Sequence, residues 1–170
     1  WARVLTWSTR GAMDAPPATA EERLVDAAVA LDRGDLERAA SWLAAVDPPR
    51  DLHVVHRHLL ARATGDDAAL RRLAESDARH AVDRHLVDDA ALTLGLHAIE
   101  RGDDPTAWFE RIDPKGPIAA WAALVEALRS ADEARLDTWI AAHPDHPAAF
   151  DAALHRAARD LETDRHEIGR

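Results

Sequence analysis

The sequence predicts an all-α chain of stacked antiparallel helical hairpins, about four of them followed by a terminal helix. Three observations carry this prediction. A small residue followed by Asp recurs four times, at Gly34-Asp35, Gly65-Asp66, Gly102-Asp103 and Ala131-Asp132, at intervals of 31, 37 and 29 residues. A period in this range marks repeated helical hairpins, none of which can bury its apolar face alone. Ala supplies 38 of the 170 residues, and Ala is the strongest helix former, with a side chain short enough to let helices approach closely. Nowhere does a sustained two-residue alternation of β-branched and aromatic residues mark a strand.

The elements follow in order. Residues 1–18 hold Trp1, Val4, Leu5, Trp7 and Met13, then Pro16-Pro17, which no helix runs through; they form a lead-in segment, extended or packed on the repeats. Thr19-Ala20-Glu21-Glu22 is a capping box, in which Thr19 accepts from a first-turn N–H and Glu22 reaches back. Leu24, Ala27, Ala28 and Leu31 then recur at helical spacing, and Gly34 suits the left-handed residue that ends the helix. Asp35 caps a second helix that buries Leu36, Ala39, Ala40, Leu43 and Val46 until Pro48-Pro49 stops it.

The same grammar continues. Residues 51–64, with Leu52, Val55, Leu59 and Leu60, end at Gly65, and Asp66 opens a short helix with Leu70 and Leu73. Residues 78–87 are an extra stretch that lengthens the next helix or makes a separate turn. Leu86 to Arg101 is a fifth helix with Leu92, Leu96 and Ile99 inward, and Asp104-Pro105 begins a sixth. Pro117 opens a seventh (Ile118, Trp121, Leu124, Val125, Leu128), Asp132 caps an eighth (Leu136, Trp139, Ile140), and Pro147 opens a ninth that ends near Leu161. The repeat domain therefore spans 19–161, with a tail at 162–170.

Composition narrows function. With 31 acidic and 21 basic residues the net charge is −10, which repels phosphate backbones and argues against a nucleic-acid partner. Lys115 is the sole Lys, and Asn, Gln, Cys and Tyr are absent, a bias that reads as GC-rich bacterial coding. Without Cys there are no disulfides, thiolate metal sites or Cys nucleophiles. No run reaches the ~18 apolar residues of a membrane-spanning helix. The chain opens on Trp1, so a signal or anchor lost upstream is an open alternative, and a bacterial cytoplasmic or periplasmic location fits equally.

The first hairpin resembles a tetratricopeptide repeat. Ala27 and Ala30 stand at the small positions where its helices meet, Gly34-Asp35-Leu36-Glu37-Arg38-Ala39 matches the inter-helix turn, Leu43 the large apolar position, and Asp47-Pro48 the closing proline. Gly65 and Gly102 recur in later units, but Leu70 and Leu136 stand where the family has a small residue, and the intervals depart from the family's usual 34. The resemblance implies a right-handed stack whose first helices line a concave groove. That groove would present Leu24, Ala28, Leu31, Val55, Leu59, Leu92, Leu96, Trp121 and Val125 to an amphipathic helix or extended apolar peptide. The competing structural expectation is that curvature or the lead-in segment buries these residues. Family members that clamp a peptide carboxylate use Lys, Asn and Arg together; a chain with no Asn and one Lys cannot build that clamp in its usual form.

Chemistry-bearing residues are few. His53 and His56, three apart, share a helix face and with Asp51 make a weak metal candidate; His58 points away from them, so the set lacks four ligands. His143 and His146 form a similar pair around a turn, and His97 with Glu100 reverses the order used in di-iron bundles. The carboxylate pairs Glu21-Glu22, Asp88-Asp89 and Asp103-Asp104 sit at helix starts, where negative charge offsets the macrodipole. None of the four serines stands in a nucleophile elbow, and there is no phosphate-binding glycine loop. Trp42, Trp108 and Trp139 recur at matching places in second helices and are expected to pack between hairpins, whereas Trp121 lies at a groove position. These readings point to a non-catalytic adaptor without cofactor or bound metal that docks a protein or peptide in a bacterial assembly. The alternatives are a regulatory or metal-responsive helical domain, and an accessory helical domain of a larger enzyme.

Overall fold

The computed structural model describes residues 19–48, 52–77, 81–130 and 132–168, with the backbone alone at 81, 82 and 161–168. The expected lead-in segment 1–18, Asp51 and Ala131 lie outside the described residues. Among the described residues the chain is all helical, without strands: α1 (Ala20–Asp32), α2 (Leu36–Ala44), α3 (His53–Thr64), α4 (Asp67–Ala74), α5 (Ala81–Glu100), α6 (Thr106–Phe109), α7 (Ala119–Arg129), α8 (Glu133–Ala142) and α9 (Ala149–Ile168). Two compact units divide the chain at Arg111/Ile112.

Local signals set the boundaries. Thr19 Oγ1 accepts from the Glu22 N–H and the Glu22 carboxylate accepts from the Thr19 N–H, both at 3.2 Å, the reciprocal capping box. Asp35, Asp66 and Asp132 each accept from the backbone N–H three residues on, at 3.2, 3.0 and 3.3 Å. Gly34, Gly65 and Gly102 all have positive φ, where a side chain would strain the backbone. The N–H after each glycine returns to a carbonyl of the preceding helix, Asp35 to Ala30, Asp66 to Ala61 and Asp103 to Ala98, at 2.8, 2.9 and 2.8 Å. The Gly-Asp pair therefore makes one turn three times: glycine reverses the chain and the orphan carbonyls find donors.

In the first unit α1 packs on α2 and α3, α3 also on α2, α4 and α5, α4 on α5, and α5 on α6. Its core joins Leu24, Ala27, Ala30 and Leu31 of α1 to Ala39 and Leu43 of α2 and Leu59 and Ala63 of α3. In the second unit α7 packs on α8 and α8 on α9, around Leu124, Ala127, Leu136, Trp139, Ala148 and Ala152. Leu70 and Leu136, which stand where a tetratricopeptide repeat has a small residue, are both fully buried, so these seams are filled by leucine.

Several sequence expectations need correction. Leu36 is 50% exposed rather than buried, because it opens the first turn of α2. Of the extra stretch at 78–87, the described part from Ala81 onward lengthens the following helix, one of the two outcomes expected for it. Along α5 the buried face is Leu86, Val87, Ala90, Ala91, Leu94 and Ala98, while Leu96 is exposed; three alternating leucines, Leu92, Leu94 and Leu96, leave the phase undetermined by pattern alone. The sixth helix is a single turn, and α9 runs on to Ile168 instead of ending near Leu161.

Candidate functional site

Helix α3 carries His58 and Arg62 one turn apart, and both reach Asp89 of α5. His58 is only 3% exposed. Its Nε2 lies 2.7 Å from Asp89 Oδ2, and Arg62 donates to the same oxygen at 3.1 Å. Burial pushes the Asp89 carboxyl up, but the His58 hydrogen bond, together with the charges of Arg62, His58 and His85, holds it below the ordinary carboxylate value. An ionised Asp89 can only accept, so Nε2 bears the proton it shares with Asp89. At the other edge of the ring Nδ1 is buried and has no hydrogen-bond partner. Asp32, at the end of α1, is raised by burial, with Arg62 opposing and Asp89 adding to the rise.

The same histidine lines a cleft of about 310 Å³ between α3, α4 and α5. Its walls are mainly apolar, from Val54 and Ala61 of α3, Leu70 and Leu73 of α4 and Val87 of α5, and Arg57, Arg72, Asp77 and Asp83 add charge. Ser76 also borders it, but its hydroxyl donates to the Leu73 carbonyl at 2.7 Å. The arrangement offers an oriented imidazole beside a small apolar space.

Two other polar clusters hold helices together. Asp67 of α4 accepts from His97 Nδ1 at 2.6 Å and from Arg101 at 2.8 Å, and these bonds keep its carboxyl low despite burial. In the second unit His146 stands edge-on to Trp121 at 4.5 Å and to Trp139 at 5.1 Å between ring centres, and His143 tilts against Trp139 at 5.1 Å. Trp139 donates from Nε1 to the Ala120 carbonyl at 2.8 Å. Burial, reinforced by the neighbouring His143, lowers His146.

The expected groove residues divide. Leu24, Leu31 and Leu59 are core, so they have no side chain to offer a docked peptide: α1, α2 and α3 close over them. Ala28, Val55, Leu92 and Val125 are half-buried, and Leu96 and Trp121 are exposed. Trp139 is buried as expected, while Trp42 and Trp108 are half-buried under arginines, with Arg38 at 4.4 Å from the Trp42 ring centre and Arg71 at 5.5 Å from that of Trp108. His53 is exposed, and His56 Nε2 donates to the Leu43 carbonyl at 2.9 Å. Among the described residues no group of three or more His, Cys, Asp or Glu could hold a metal ion. Asp88 and Asp89 sit inside α5, not at a helix start, because the helix begins at Ala81.

Two features escaped the sequence reading. The His58–Asp89 bond joins residues 31 apart, and its one trace is acids set among Leu86, Val87, Ala90 and Ala91. The second is the outer face of α9, where Phe150 and Leu154, one turn apart, are 76% and 60% exposed. Comparison with protein-family models, curated proteins and solved structures finds no match for this chain. Among the described residues no helix is long and apolar enough to cross a membrane.

Proposed function

We propose that this chain is a non-catalytic adaptor, built of tetratricopeptide-like hairpins, that docks a protein or peptide. The observation that carries the docking role is the outer face of α9. Phe150 and Leu154 stand largely in solvent with the exposed Ala153 and Ala157 beside them, a stripe at the three- and four-residue spacing that receives a helix or an apolar strand. The exposed Trp121, in the same unit, supplies a further apolar anchor. For the repeat architecture, support comes from the first unit, where α1, α3 and α5, the leading helices of successive hairpins, pack in sequence. That is the neighbour pattern of a stack, and the resemblance adds its right-handed sense. The net charge of −10 favours a neutral-to-basic protein partner over nucleic acid.

Crosslinking in the native host followed by mass spectrometry tests this. Crosslinks to another protein should fall on residues near Phe150 and Leu154 and disappear in the Phe150→Glu, Leu154→Glu double variant. A double variant that folds and keeps the same crosslinks removes α9 as the docking face.

A further inference from the structure

Among the described side chains of α9, both arginines turn toward the rest of the second unit. Arg156 reaches Glu133 and Asp137 of α8, each at 3.1 Å, and also holds Asp160 one turn along its own helix. Arg159 donates to the Leu128 carbonyl of α7 at 3.2 Å. Three carboxylates thus share the one guanidinium of Arg156, and all three remain about half exposed. The group keeps two formal negative charges in excess beside the apolar stripe.

The helix geometry puts acid on both borders of that stripe. At 3.6 residues per turn, Asp160 falls ~80° to one side of Phe150 and Asp151 ~100° to the other, and both are exposed. His155 lies one turn beyond Asp151 on the same border. Between the borders Ala153 and Ala157 are exposed and short, so the ridge of a second helix can settle beside Phe150 and Leu154. A second copy of the chain laid on this face would bring acidic borders together, and an anionic lipid surface would meet the same repulsion.

We propose that the α9 face receives an amphipathic helix of a partner protein whose apolar stripe is bordered on both sides by Lys or Arg. This rests on the docking role of α9 and names the chemistry of the partner. The apolar side chains of the incoming helix cover Phe150 and Leu154. Its cations meet Asp151 at one border and the Glu133, Asp137 and Asp160 carboxylates at the other. These rim contacts stand in solvent, so they set orientation and partner choice more than total affinity.

The test titrates the full chain, by fluorescence anisotropy, with two synthetic helices that share one leucine stripe. One is flanked by Lys and the other by Glu. The Lys-flanked helix should bind about tenfold more tightly, the sum of two or three exposed charge pairs, and the gap should narrow as salt is added. Asp151→Lys, at an exposed position, should weaken the Lys-flanked helix several-fold and strengthen the Glu-flanked one. The Phe150→Ser, Leu154→Ser double variant removes the stripe without changing charge and should abolish binding of both. Equal affinities that the double variant abolishes overturn the basic partner and leave the docking face standing. Binding of the Lys-flanked helix that survives the double variant is adsorption to an acidic surface and overturns the proposal. So does binding of neither helix, with the crosslinks from the native host left to judge the face itself. Sedimentation of the chain alone and flotation with phosphatidylglycerol vesicles cover the other occupants. A dimer, or vesicle binding, that the double variant dissolves assigns the face to a second copy or to lipid and sinks the basic helix.

Discussion

Gly95, in the middle of α5, lies directly beneath the ring of Phe109 from α6. A Cβ built on Gly95 would stand 2.8 Å from Phe109 Cδ1 and 3.0 Å from Cζ, with Cε1 nearer still. Glycine is an unfavourable residue inside a helix, by about 1 kcal/mol against alanine. Here its missing side chain is the space the aromatic ring fills. Gly95→Ala should therefore destabilise the first unit, because overpacking of about 1–3 kcal/mol outweighs the gain in helix propensity. Chemical denaturation measures it, and Phe109→Leu in the same background should recover part of the loss. A stabilised Gly95→Ala would show that α6 does not pack as described.

Leu43 and Leu36 lie on the same short helix in opposite situations. Leu43 is fully buried among α1, α2 and α3, while Leu36 is half exposed. Leu43→Ala should cost about 2–5 kcal/mol, whereas Leu36→Ala should change stability by less than about 0.5 kcal/mol. Urea melts of the two variants, side by side, check the phase of α2.

Asp89 makes the first unit sensitive to acid. Its folded-state pKa lies below the ordinary 3.8, so its contribution is fully present above that value and drains away as pH falls toward the folded one. Asp89→Asn should destabilise the protein at neutral pH by about 3–5 kcal/mol, as removal of one partner from a mostly buried pair does. Below pH ~3 the difference between variant and parent should shrink. Thermal melts across pH 2–7 give both numbers, and parallel curves would assign no role to the carboxylate's charge.

Asp32 runs the other way. Burial raises its pKa, so ionising it opposes folding, and stability drops as pH rises through the folded value. Asp32→Asn should raise the melting temperature at pH 7 and lose that advantage in acid. A lower melting temperature at pH 7 would mean that attraction to Arg62 exceeds the burial penalty.

His146 makes the second unit respond near neutrality. Its pKa lies below the ordinary 6.5, so the unfolded chain binds the proton first and stability declines as pH falls below about 6.5. With Trp121 and Trp139 against its ring, tryptophan fluorescence during unfolding follows the change. His146→Phe keeps an aromatic edge beside Trp121 and should flatten the pH dependence between 5 and 7.

What the sequence revealed was what short stretches decide. A cap needs one Asp and the N–H three residues on, and a left-handed turn needs one glycine, so Asp35, Gly34, Asp66 and Gly65 announce their roles within a few residues. The burial of Leu43 also followed from its spacing. The facing of α5 was hidden, because Leu92, Leu94 and Leu96 alternate and only contact with α3, α4 and α6 chooses among them. Gly95 gave a signal, an isolated glycine inside a helical pattern, whose reason lies in Phe109, 14 residues away. The His58–Asp89 bond was hidden more deeply, since the partners sit on helices separated by an entire hairpin turn and helix. The α9 face was legible in principle: Phe150, Ala153, Leu154 and Ala157 make an amphipathic pattern, but pattern alone does not distinguish an apolar face turned inward from one left open.

The turn shared by Gly34, Gly65 and Gly102 bears on how the molecule comes into being. Because each closes its helix pair over only a handful of residues, little loop entropy is lost before the first apolar contacts form. During synthesis the pair α1–α2 can settle as soon as it clears the ribosome, and α3 then finds a finished surface. Replacing any one of these glycines with a β-branched residue should therefore slow maturation in the cell, with more nascent chain held by chaperones, beyond what its effect on equilibrium stability alone would produce.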